Sequence, residues 1–429
     1  FSCDGKPSYP QLMKKVSAHN VDPITIENRL LELSSSRSFF ALYTSRGYPN
    51  SHKKYELVFG WGAKKVLFKE ELKSGGLESG WKFGFLGYEL RHEFEELSKG
   101  NPTQGDWPDA QFFIPEIVGV LKLDGTLEIS ASSQEEAQKV LDMVLQASSL
   151  IKDGPTRLEF QPIETRAQYV QAIESLKQHI QHGDIYEVNY CTSFHAEIKE
   201  LDPVALFQKM ANATDAPFSA YLKMDHHILL CTSPERYVLK EERSILSQPI
   251  KGTNRRLKQD NERAQKVLLE SEKERAENVM IVDLVRNDLS HVASKGSVEV
   301  TELLGMYAFK NVNQMISTVK AVLKPDVSNW DIIASSFPMG SMTGAPKISA
   351  MELAELHEKT AREVYSGAIG YVTPEGDFDF NVVIRSIALN TLSKVATLHV
   401  GGAITILSDP QEEYEECMLK AESMFQSAK

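Results

Sequence analysis

The sequence has 429 residues, 42% of them hydrophobic and 25% charged, a composition that excludes a disordered chain and gives enough length for a sizeable core. Acidic residues outnumber basic ones 59 to 47, for a net charge of −12, which excludes nucleic acid as the main partner because a phosphate backbone needs a basic face. No apolar run approaches the roughly 18–20 residues that cross a membrane, and the first residues lack a basic-then-apolar leader, so a cytoplasmic protein without membrane contact is expected.

From the N-terminus, β-branched and aromatic residues predict strands at 38–44, 55–59 and 66–68, and one over 112–123 that returns through the turn Asp124-Gly125. An amphipathic helix is expected over 133–146. The polar cluster Lys152-Asp153-Gly154-Pro155 marks a boundary and divides the chain into an N-terminal region, 1–150, and a larger region, 151–429. The next helix, 166–181, has Thr165 as N-cap and Gly183 near its end. Several strands are expected between 187 and 248, then one long helix from about 259 to 289. Helices return at 330–336 and 347–359. Strands 366–372 and 378–389 flank the turn Pro374-Glu375-Gly376, strand 394–407 follows, and a last helix covers 410–425. Strands and helices interleave without regular βαβ alternation, so the fold class is α+β with large antiparallel sheets.

Three local features carry chemistry. Glu274 and Glu277 lie three apart on a helix, as do Glu413 and Glu416, so each pair shares one face. If the two faces meet, four hard oxygen ligands suit Mg²⁺, which keeps waters and shares ligands with a substrate. Taken alone, Glu-x-x-Glu is more often a solvated helix face. The second feature is Pro249-Ile250-Lys251-Gly252-Thr253, a lysine between Ile250 and Gly252 at a strand end. A lysine reacts as a nucleophile only when neutral, which burial, Mg²⁺ or arginine neighbours would favour; its plain reading is a surface cation. The third is Gly340 to Lys347, a glycine-rich loop entering a helix, without the phosphate-loop spacing. The cysteines Cys3, Cys191, Cys231 and Cys417 form no Cys-x-x-Cys pair and read as free thiols. His226-His227 reads as a surface turn, and Trp61, Trp81, Trp107 and Trp330 as core.

Taken together and in order, these pieces resemble the chorismate-binding enzymes over nearly the whole chain. The resemblance rests on Pro249–Thr253, on Lys273-Glu274-Arg275-Ala276-Glu277-Asn278, on Gly340–Lys347, on Tyr365-Ser366-Gly367-Ala368-Ile369-Gly370 and on Gly401-Gly402-Ala403-Ile404. It implies an anthranilate synthase component I-like fold, with a sandwich-like core of sheets and helices outside. It also implies Mg²⁺ as cofactor, with Glu274, Glu277, Glu413 and Glu416 in the metal region, and Glu235 as the general acid/base. Tyr365 and Arg385 are implied to grip the enolpyruvyl carboxylate, with the backbone at Gly401, the amine of Lys420 and the lining residue Thr253 as further substrate contacts.

Within that family, Lys251 matches the branch that aminates chorismate at C4 and keeps the enolpyruvyl group. The anthranilate-forming branch usually has alanine there, and members that add water carry lysine where this chain has Glu187. A non-catalytic chorismate-binding subunit is the reading from another class; the retained carboxylates and Lys251 weigh against it. No cysteine here sits in a Gly-x-Cys-x-Gly turn, so a separate glutaminase subunit is expected to supply ammonia, and no added lyase domain is expected. Two positions depart from the pattern: Glu187 replaces a glutamine common among aminating members, and Gln314 stands where many relatives have histidine.

Overall fold

A computed structural model describes residues 13–49, 52–97, 100–147, 154–214 and 216–428. Cys3, Lys152 and Asp153 lie outside the described residues. The chain folds as α+β around large antiparallel sheets, as the pattern of elements predicts.

One arm of strand pairing runs from Ile250–Arg255 to Val312–Val322, then through Ser244–Gln248, Arg236–Glu241, Phe378–Val382 and Ala368–Val372 to Lys82–Leu86. From there the ladders pass through Ala110–Lys122, Tyr55–Phe68 and Phe39–Thr44 to Phe218–Met224 and His227–Ser233. They end through Ser386–Asn390 and Val395–Ile404 at Glu187–Glu197. Strands from before and after residue 150 therefore pair directly, as Phe39–Thr44 does with Phe218–Met224. The two ends of this path, Ile250–Arg255 and Glu187–Glu197, are brought face to face by the Lys251–Glu187 contact.

Helices pack on the sheets through their apolar stripes. Leu30, Leu31, Val140, Leu141, Ile173 and Leu176, from three helices, join the largest core cluster with Phe59, Trp61 and Tyr190. The helix Arg166–His182 starts at Thr165 with a capping box to Gln168 and ends at Gly183, whose φ of 90° supplies the left-handed cap. Trp61, Trp107 and Trp330 are buried in the core, and Met342 packs with Trp330 in the second cluster.

Several expectations need correction. The strands expected at 55–59 and 66–68 are one strand, Tyr55–Phe68, bent at a register shift between Ala63 and Lys65. The region between 187 and 248 also holds a helix, Pro203–Thr214, whose buried Leu206, Phe207 and Met210 were read as part of a strand-rich stretch. The long helix is two, Asn261–Glu270 and Glu272–Ser290, because Ser271 is extended and its side chain caps the second. The strands Glu299–Ala308 and Val312–Val322 were not read. The strand expected over 378–389 breaks into Phe378–Val382 and Ser386–Asn390, with Arg385 in the left-handed region at φ 52°. His227 is not a surface residue: it is buried in the strand His227–Ser233, with its ring 4.6 Å from Trp107.

Candidate active site

The site is built where the two arms of strand pairing end. Lys251 is the second residue of Ile250–Arg255, and its side chain points inward, only 11% exposed. Its Nζ donates to Glu187 Oε1 at 2.9 Å and to Asn189 Oδ1 at 3.3 Å, both on Glu187–Glu197. Gly252 follows at φ 96°, where a Cβ would lie 2.8 Å from Met315 Cε and 3.3 Å from Glu274 Oε2. Glycine there lets the metal-region carboxylate come up against the Lys251 strand. Asn278, one residue beyond Glu277, donates from Nδ2 to the Lys251 carbonyl at 3.2 Å and to the Met315 carbonyl at 3.3 Å. It thereby fixes the lysine backbone to the Glu272–Ser290 helix.

Burial opposes the charged form of Lys251, but Glu187, Glu277 and Glu235 together outweigh it and raise the pKa above the ordinary lysine value. Arginine neighbours were expected to lower it. The neighbours are carboxylates instead, so the free site holds this amine protonated. Glu235 is fully enclosed; burial pushes its carboxyl up to about 7, against the lowering pull of Ser341, the Lys251 charge and the Ile250 N–H. A carboxylic acid that titrates near neutrality is suited to donate and recover a proton.

The glycine-rich loop buttresses this wall. Its Gly344–Ala345 segment pairs with Glu187–Val188, and the Asn189 N–H donates to the Thr343 carbonyl at 2.8 Å. Gly344 is required by contact: a Cβ there would lie 2.2 Å from the Glu187 carbonyl oxygen, at φ 142°. Lys347 anchors the loop to the Glu272–Ser290 helix through Asp288, at 2.7 Å. Arg362, fully buried, donates to the Asn189 carbonyl and the Met342 carbonyl at 2.8 Å each, and to Glu358 at 2.6 Å. It ties the strand, the loop and the C-terminal end of the helix Lys347–His357, capped by Glu358, into one wall.

The two acidic helix faces do approach one another. Lys273 Nζ lies 3.6 Å from Glu413 Oε1 and 4.0 Å from Glu277 Oε1, bridging Glu272–Ser290 to the last helix, Pro410–Ser427. Glu274 is raised from its ordinary value by burial, with Glu416 adding to the rise and Lys273 opposing it. Glu277 is pushed up to about 7 by burial, with Glu187 and Glu274 contributing and Lys251 opposing. Its Oε1 is buried and makes no hydrogen bond. Among the described residues no three His, Cys, Asp or Glu side chains close tightly enough to enclose a metal by themselves. The donors nonetheless fit Mg²⁺: they are hard oxygens, one is buried without a hydrogen bond, and a cationic amine already lies between the faces.

The other expected contacts gather on the side of the last helix. Lys420 Nζ donates to the Gly401 carbonyl at 3.0 Å and pairs with Glu416 at 2.7 Å. Arg385, at the strand break, reaches Ser423 of the same helix at 3.4 Å, and burial lowers its pKa, with Tyr365 and Glu416 opposing. Tyr365 is buried with its ring stacked on His399, centroids 5.3 Å apart. Thr253 is exposed, two residues past Lys251 and in register with Gln314. Gln314 is buried with Oε1 unpartnered. Asn189, Asn278 and Arg362 went unassigned in the sequence. Asn278 sits inside a recognised motif, whereas nothing local marks Asn189 or Arg362.

A family model described as chorismate binding enzyme matches residues 52–426. The chain is 34% identical over 361 residues to aminodeoxychorismate synthase, chloroplastic, of Arabidopsis thaliana, a match covering 79% of this chain and 39% of that protein. It is 34% identical over 341 residues to aminodeoxychorismate synthase component 1 of Escherichia coli (strain K12), covering 79% of this chain and 74% of that one. The chain thus spans about two fifths of the plant relative and about three quarters of the bacterial one. Among solved structures, anthranilate synthase component I from Streptococcus pneumoniae TIGR4 superposes with a TM-score of 0.76 at 24% identity, over 99% of this chain and 95% of that one, a likeness of fold. No described helix is long and apolar enough to cross a membrane.

Proposed function

The chain belongs to the chorismate-binding enzymes, and we propose that it is an aminodeoxychorismate synthase component, which aminates chorismate at C4 to 4-amino-4-deoxychorismate on the route to p-aminobenzoate and folate. The observation that carries this reading is the inward Lys251 amine, 2.9 Å from Glu187, within the field of Glu235 and Glu277.

In this reading Lys251 Nζ, once neutral, attacks C2 of the ring. The C1=C2 π electrons shift to C1–C6 and the C5=C6 pair to C4–C5, the C4–O bond breaks, and Glu235 gives its proton to the departing hydroxyl, which leaves as water. Ammonia then attacks C4, the π electrons return, the C2–N bond to Lys251 breaks, and the Glu235 carboxylate recovers its proton from the new C4 ammonium. The enolpyruvyl ether is untouched. Arg385, Tyr365, Lys420 and the Gly401 backbone grip a substrate carboxylate, for which a planar guanidinium gives a bidentate hold; Thr253 lines the mouth. Glu274, Glu277, Glu413 and Glu416 would hold Mg²⁺, some through water, and the ion would supply charge to fix the ring carboxylate. Ammonia would come from a glutaminase partner, as the name component 1 of the bacterial relative suggests.

The test is incubation with chorismate, Mg²⁺ and an ammonium salt, with products separated by chromatography, and mass spectrometry of the protein when ammonia is withheld. Expected are 4-amino-4-deoxychorismate, and a Lys251 adduct of chorismate minus water that Lys251→Ala abolishes. Anthranilate with released pyruvate would instead assign the chain to the anthranilate-forming branch.

A further inference from the structure

A protonated Lys251 cannot attack, so its proton must first go somewhere. Glu187 Oε1 is the acceptor already bonded to it, at 2.9 Å, and the Glu187 side chain is fully shut off from solvent. The same carboxylate has a second oxygen, Oε2, that is buried and makes no hydrogen bond. Asn189 Nδ2, beside it, is likewise buried and unbonded, while its Oδ1 accepts from Lys251. The Glu187 backbone is pinned by its pairing with Ala345 and by the close approach of Gly344. A buried carboxylate with one oxygen on the nucleophile and the other unclaimed is built for more than salt-bridge pairing.

We propose that Glu187 is a further catalytic residue, the base that takes the proton of Lys251 as the amine attacks and returns it when the amine leaves. The proton moves from Nζ to Glu187 Oε1, giving a neutral amine and a neutral carboxylic acid. The freed nitrogen lone pair forms the bond to C2. In the second half, the C2–N bonding pair returns to Nζ as C4 takes ammonia, and the Glu187 acid re-protonates the departing amine. No outside acid or base enters. A substrate that fills the cleft and displaces water favours this exchange, since a neutral pair loses less on desolvation than an ion pair. The charged groups facing Lys251 are Glu187 from its strand, Glu235 from the turn before Arg236–Glu241, and Glu274 and Glu277 from Glu272–Ser290, both beside Lys273. Glu187 is the one of these in hydrogen-bond contact with the amine.

This inference rests on the reading of Lys251 as nucleophile, and Glu187→Gln tests it, because the amide keeps the size and an acceptor oxygen but cannot take a proton. The variant-to-wild-type ratio of kcat, with Mg²⁺, chorismate and ammonium salt, is expected to be down by about 100-fold or more at pH 7. It is then expected to rise about tenfold per pH unit between pH 7 and 9, as solvent removes the proton instead. Taking a ratio cancels the titration of Glu235, which both proteins share. A ratio within threefold of one, or a reduced ratio that stays constant with pH, overturns the proposal, since a merely structural partner would give either. If the variant is inactive throughout, acetic anhydride labelling of Lys251, read by mass spectrometry at pH 8, decides. Labelling at least about tenfold faster in Glu187→Gln than in wild type supports control of the amine proton by Glu187, and equal labelling overturns it. Should wild type form no 4-amino-4-deoxychorismate, the proposed function fails, and the labelling contrast still judges Glu187 separately.

Discussion

Glu235→Gln separates what the buried carboxyl does for catalysis from what it costs in stability. In the folded protein this carboxyl titrates at about 7, against 4.5 for the free group, chiefly because burial penalises the charged form. Between those values the folded state binds more protons than the unfolded one, so stability falls as pH rises from about 4.5 to 7, and the full loss is present above 7. A difference of about 2.5 units at about 1.4 kcal/mol each amounts to about 3 kcal/mol. The group is enclosed, so solvent screening does not reduce that figure. Glutamine carries no charge to bury. The stability of the variant relative to wild type should therefore grow by about 3 kcal/mol between pH 4.5 and pH 8, read by urea unfolding at the two pH values. Over the same range turnover should move the other way. The variant should lose about 10²–10⁴ in kcat, and wild-type kcat should fall about tenfold per unit above pH 7 as the acid form disappears. A stability gap that is the same at both pH values would refute the raised carboxyl. A wild-type rate that is flat from pH 6 to 8.5 would refute its role as the acid.

Arg362→Lys keeps a charge beside Glu358 but cannot also reach the Asn189 and Met342 carbonyls. It is expected to destabilise by about 2–5 kcal/mol, read by chemical denaturation, with activity lost in step because Asn189 bonds the Lys251 amine. Gly344→Ala forces a methyl onto the Glu187 carbonyl oxygen, 2.2 Å from the ideal Cβ position. It should cost about 1–3 kcal/mol and weaken formation of the Lys251 adduct, measured by mass spectrometry after timed exposure to chorismate. An unchanged adduct rate in Gly344→Ala would mean that the loop does not position Glu187.

What the sequence determined by itself is the part that depends on spacing and local propensity. A separation of three on a helix puts Glu274 beside Glu277 and Glu413 beside Glu416 whatever surrounds them. Thr165 and Gly183 delimit their helix by cap chemistry alone. Alternation without βαβ order gave the α+β class, and motif order gave the family. Boundaries failed where a single residue decides, as at Ser271, whose extended backbone splits one apparent helix, and at Arg385, whose left-handed backbone breaks one apparent strand.

What only the tertiary structure decided is who meets whom. Lys251 and Glu187 are 64 residues apart, and Arg362 lies 173 residues from the Asn189 carbonyl it binds. Neither separation leaves a local trace, because the contacts exist only once a long path of strand pairing brings its two ends together. The same closure sets the protonation of the site. A lysine in a motif has no defined charge until its neighbours are known, and here burial and a group of carboxylates, rather than an arginine, surround it.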